Sequence, residues 1–123
     1  MPIVAIDCFH EHLISPSADE VIVAVDVIRA TTTAVTAAAI GKPLYPAGSI
    51  EAAVRLAADL DRPILAGELG GVQPYGFDLQ NSPTQIAALD HSTRPIILLS
   101  TSGTRLMAEA SQVAATYGTT CAS

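Results

Sequence analysis

Residues 21–40 read VIVAVDVIRATTTAVTAAAI, and this stretch decides the fold. It opens as an apolar β-branched run, halts on Asp26, sets down Arg29 and three threonines, and resumes as an alanine-rich segment. A strand that runs into a polar turn and then into a helix is half of a β-α-β unit. The threonines are an odd choice for a helix start, because each loses side-chain freedom against the preceding turn. Their presence implies a task other than helix propensity.

The pattern repeats outward from there. Residues 2–7, 43–46, 63–66 and 95–100 read as further strands beside 21–27, and "VAATYGTT" at 113–120 as one more. Residues 32–40, 50–60, 83–89 and 104–113 read as helices. Ser49 is placed to cap "IEAAVRLAADL", and Ser82 precedes a proline at a first helical position. Strands that alternate with helices require long return connections, hence parallel pairing. The apolar runs "VIVAV" and "PIILL" read as strands covered on both faces. The expected fold is a layered α/β domain, residues 1–123, with a mostly parallel sheet and helical crossovers.

Composition narrows the function. With 123 residues, six basic against twelve acidic side chains and a net charge of −6, the chain lacks the clustered basic surface that nucleic acid requires. Asp26 and Arg29 break the best apolar run, so no membrane span is expected, nor is a signal peptide. Cys8 and Cys121 show no metal or redox spacing; free thiols in a cytoplasmic protein are expected, with a disulfide between them the other reading. "HEH" at residues 10–12 lacks a third ligand at recognisable spacing and reads as a surface loop, as does His91.

Three expected strands end in segments dense in glycine, hydroxyl and charge: "DVIRATTT", "GELGGVQPYGFDLQNSP" and "STSGTR". Ligands of open α/β sheets collect beyond the carboxyl ends of strands. Each segment alone reads as an ordinary turn or cap. Together they describe an oxyanion site. Arg29 and Arg105 offer guanidinium forks, Thr31, Thr32, Thr101 and Thr104 hydroxyls, and the helix starts after Arg29 and Gly103 free N–H groups. Asp26, Glu68 and Asp78 bring hard oxygens of the kind Mg²⁺ takes, and Asp26 and Glu68 are the candidate catalytic carboxylates. The bland alternative for Asp26 is a cap or an ion pair with Arg29; for Glu68 it is a solvated turn residue.

In order and spacing, "VDVIRATTTAVTAA", "AGELGGVQPYGFDLQNSP" and "STSGTR" resemble the signature segments of the 2-phosphosulfolactate phosphatase family. The resemblance implies an α/β phosphoric monoester hydrolase that uses Mg²⁺ to release phosphate from 2-phospho-3-sulfolactate, a step toward coenzyme M. It implies a small phosphorylated anionic substrate, and it points to the same residues, with Thr33, Gly70, Gly71, Gly76, Asn81 and Ser82 added. It leaves open which carboxylate holds the metal and whether water or a phosphoenzyme carries the reaction. Two positions depart from the family pattern: Leu69 stands for an arginine and Ser102 for an asparagine. The family is also longer, so residues 1–123 would be a truncated form, and self-association is expected to cover what the missing part would cover. Those departures support the competing reading, a non-catalytic anion-binding or assembly module. A nucleotide-binding doubly wound domain fits the architecture but lacks the glycine fingerprint.

Overall fold

The computed structural model describes residues 1, 3–9, 11, 21–90, 92–114 and 119–122. Its order is β1 (Ile22–Val25), α1 (Ala30–Ala39), β2 (Leu44–Ala47), α2 (Ile50–Asp59), β3 (Ile64–Gly67), α3 (Pro83–Ala87), β4 (Ile96–Leu99), α4 (Gly103–Ala114) and β5 (Thr119–Ala122). Every strand pair is parallel. β2, β4 and β3 form a three-stranded sheet in that order, and β1 pairs separately with β5. The α/β expectation holds, with one difference: residues 3–7 form no strand and are exposed. Their apolar side chains Ile3, Val4 and Ile6 meet no layer among the described residues. Of "VAATYGTT", residues 113–114 belong to α4 and 119–120 to β5, and residues 115–118, like His10, His12 and His91, lie outside the described residues.

β4 explains why the core divides in two. All four of its residues are buried, as the central strand of a parallel sheet requires. Successive side chains leave a strand on opposite faces. Ile96 and Leu98 therefore join Ile64, Ala66, Ile86 and Met107 on one side, while Ile97 and Leu99 meet Ala47, Ala53 and Phe77 on the other. β2 tolerates Pro46 because it is an edge strand, where one row of amides has no ladder partner to reach.

The opposite edge, β3, is closed by the chain itself. Asp78 N–H donates to Leu65 O at 2.8 Å, Leu65 N–H donates to Asp78 Oδ2 at 2.9 Å, and Gly67 N–H donates to Leu79 O at 3.0 Å. An edge so covered offers no template for another chain.

β1 departs from the sequence expectation. Val23 and Val25 remain 53% and 59% exposed, so this strand is not covered on both faces among the described residues. At the far end of the sheet, the buried Lys42 donates from Nζ to Ser92 O (2.6 Å) and Ser92 Oγ (3.2 Å) and pairs with Asp90. A buried ammonium needs such partners. This cluster ties the α1–β2 turn to the α3–β4 loop and is remote from the site.

Candidate functional site

The three polar segments meet at the carboxyl ends of β1, β3 and β4. A cleft of about 370 Å³ there is lined by Asp26, Ile28, Arg29, Glu68, Asn81, Ser100 and Ser102. Four residues singled out from sequence (Asp26, Arg29, Glu68 and Asn81) are brought together from the first and second of those segments. Ser100, Ser102 and Ile28 line it as well and had not been singled out as site residues. The available signal was their position immediately beyond a strand.

The threonines fasten the first turn. Thr31 Oγ1 accepts from Asp26 N–H at 2.9 Å and donates to Asp26 O at 2.7 Å. Thr32 Oγ1 donates to Val27 O at 2.6 Å. Thr33 Oγ1 donates to Asn81 Oδ1 at 2.7 Å, a buried link from α1 to the start of α3. Thr31 and Thr33 are fully buried. Three hydroxyls in a row thus hold the backbone around Asp26 and place Asn81 in the cleft wall. Arg29, at the helix start, makes no capping bond and stays exposed toward the cleft. Among the described residues no ion pair joins it to Asp26.

The third segment is fastened the same way. Ser100 N–H donates to Thr104 Oγ1 at 2.6 Å, and Thr104 N–H donates to Ser100 Oγ at 2.9 Å, both buried. The hydroxyl of Thr104 and its amide therefore serve the turn into α4. Gly103 is required by close approach: a β-carbon there would collide with the Asp26 carboxylate and the Ala30 methyl. Asp26 thus occupies the mouth of α4, where the free helix amides favour negative charge. Arg105 is exposed, pairs with Glu109 at 3.0 Å and does not line the cleft. Ser82 caps α3 through Gln85 N–H. Asp78, the third carboxylate of the expected metal set, closes the edge of β3 instead. Among the described residues, no group of three His, Cys, Asp or Glu comes together as a metal site.

Glu68 is the most tightly held group in the cleft. Leu69–Val72 is a two-residue hairpin turn, closed by Leu69 N–H to Val72 O (2.9 Å) and the reverse bond (3.1 Å). Its central residues, Gly70 and Gly71, have φ of 57° and 82°, the left-handed pair that such hairpins demand and glycine supplies. The turn aims Gly71 N–H at Glu68 Oε2 (2.7 Å) and Gly70 N–H at Thr101 Oγ1 (2.9 Å). Thr101 donates its N–H to Oε1 and its hydroxyl to Oε2, each at 2.9 Å. Burial acts to raise the Glu68 pKa, but the Thr101 and Gly71 hydrogen bonds outweigh it. With the charge of Arg29 added, they hold the carboxyl below its ordinary 4.5.

The cleft thus sets one guanidinium among two carboxylates, an amide and two hydroxyls. Residues 8–122 match the family model described as 2-phosphosulpholactate phosphatase. The chain belongs to the 2-phosphosulfolactate phosphatase family. A protein of Carboxydothermus hydrogenoformans named probable 2-phosphosulfolactate phosphatase is 41% identical over 103 residues, 83% of this chain and 42% of the relative. One of Thermus thermophilus with the same name is 40% identical over 105 residues, 85% of this chain and 42% of the relative. One of Pseudothermotoga lettingae is 42% identical over 91 residues, 72% and 38% respectively. This member of the phosphatase family spans about two fifths of the length of the curated relatives it matches. No helix among its described residues is long and apolar enough to cross a membrane.

Proposed function

We propose that the cleft binds a small phosphorylated anion and hydrolyses its phosphate ester with Mg²⁺, the substrate being 2-phosphosulfolactate as the relatives' names indicate. The convergence of Asp26, Arg29, Glu68 and Asn81 on one cleft carries this reading. Charge supports the metal: one arginine faces two carboxylates, so a phosphate dianion meets net negative charge unless a cation intervenes. Two carboxylates on one cleft fit Mg²⁺, which keeps several waters and takes one or two carboxylates besides the substrate phosphate. Asp26 and Glu68 would hold it; when bound, it would supply charge neutralisation at the transferring phosphoryl group.

The chain's own groups would do the rest. Arg29 would engage phosphoryl oxygens with two parallel N–H donors, positioning the ester and countering charge as it develops. Asn81, held by Thr33, and the hydroxyls of Ser100 and Ser102 border the place where those oxygens would lie. Glu68, kept ionised by its hydrogen bonds, would remain an acceptor throughout. Coenzyme M synthesis, a cytoplasmic site of action and a homo-oligomeric state belong to the same proposal, the last supported by the half-exposed Val23 and Val25 of β1.

The test is release of inorganic phosphate from 2-phosphosulfolactate and simpler phosphoesters by the purified chain, with and without Mg²⁺. Metal-dependent release supports the reading. The competing reading is an anion-binding module without turnover; saturable phosphate binding with no release from any ester would establish it instead.

A further inference from the structure

Thr101 does not line the cleft, yet it touches both oxygens of the carboxylate that does. Its N–H reaches Glu68 Oε1 and its hydroxyl reaches Oε2, each at 2.9 Å. The same hydroxyl accepts from Gly70 N–H at 2.9 Å, and Gly71 N–H adds a second bond to Oε2 at 2.7 Å. An ionised carboxylate has about four lone-pair sites, two on each oxygen. Among the described residues, both sites of Oε2 are filled by protein donors and one of the two on Oε1 is filled.

We infer that Thr101 is a positioning residue that leaves Glu68 a single open site, on Oε1, through which Glu68 meets the contents of the cleft. Glu68 then acts as a one-oxygen donor toward a cation or water, never as a two-oxygen clamp. Its direction is set jointly by the end of β4, through Thr101, and by the 69–72 turn, through Gly70 and Gly71. Neither contact reaches substrate; both act through Glu68. Loss of the hydroxyl frees a second site on Oε2, removes the acceptor for Gly70 N–H and lets the carboxylate rotate.

The inference rests on the proposed metal-assisted reading and is tested separately from it. Thr101 is exposed, so Thr101→Val should fold, its melting temperature lowered only modestly by the loss of the hydroxyl's two hydrogen bonds, and Thr101→Ser restores the hydroxyl. Mn²⁺ binding is measured by calorimetry and by the loss of free Mn²⁺ resonance. Thr101→Val is expected to bind about 10- to 100-fold more weakly, the range typical when a ligand's supporting hydrogen bond is removed, with Thr101→Ser close to wild type. Equal Mn²⁺ affinity in all three proteins overturns the inference.

Should wild type neither bind Mn²⁺ nor release phosphate, the functional reading fails, and amide exchange still decides the positioning. Faster exchange of Gly71 N–H in Thr101→Val, restored in Thr101→Ser, upholds it; identical exchange in all three overturns it.

Discussion

The carboxylate of Asp26 lies against the α-carbon of Gly103, in the space that a β-carbon would occupy. The residue that follows β1 is thereby locked to the first residue of α4. Gly103→Ala is expected to destabilise the protein by about 1–3 kcal/mol, as overpacking of a close contact does. Urea unfolding of the single variants and the Asp26→Ala/Gly103→Ala pair checks the cause. The alanine should cost less when Asp26 is already truncated, and simple additivity would mean that the contact is not the reason.

The buried bond between Thr33 and Asn81 makes a second prediction. Thr33→Val preserves shape but leaves Asn81 Oδ1 without its donor in a site 2% exposed, costing about 1–3 kcal/mol. Thr33→Ser should recover most of that. Thermal unfolding of the pair measures it, and phosphate affinity should fall in the valine variant because Asn81 stands in the cleft wall.

Gly70 and Gly71 carry left-handed backbone angles that alanine resists by about 1–2 kcal/mol per residue. Gly71→Ala should therefore lower stability, and Gly70→Asn should be tolerated better than Gly70→Ala. Equilibrium unfolding distinguishes the three.

The fold was largely legible in the sequence because its signals are local. Alternation of apolar runs with alanine-rich helices, Ser49 and Ser82 as caps, and polar turns after strands all appear where expected. Burial that depends on neighbours was not legible: β1 is as uniformly apolar as β4, yet β4 is central and β1 is open on one face among the described residues. The site was legible as a place more than as a set of roles. Thr31, Thr32 and Thr104 look like anion donors, but hydroxyls next to a chain reversal find backbone first. Asp78 sits in the segment GELGGVQPYGFDLQNSP and serves a strand edge, which no spacing rule reveals. Arg105 is drawn along its own helix to Glu109.

The lowered pKa of Glu68 sets a pH dependence. A carboxyl whose folded pKa lies below its unfolded value contributes stability above the unfolded value, here the ordinary 4.5, and loses it as pH falls through the folded one. The stability difference between wild type and Glu68→Gln should be constant near neutrality and shrink only on the acid side of 4.5. Denaturant titrations across the acid range measure it. A difference that shrinks above pH 5 would show that the carboxylate is not held as described.

Arg29 is the sole cationic side chain lining the cleft among the described residues, so it offers the most direct measurement. Calorimetric titration of inorganic phosphate is made into wild type and Arg29→Ala, each with and without Mg²⁺. Binding should be saturable in wild type with Mg²⁺ present and at least about tenfold weaker in Arg29→Ala, a loss expected when a charge-assisted hydrogen bond to the anion is removed. Equal phosphate affinity in the two proteins, or no phosphate binding by wild type under any condition, would contradict the account.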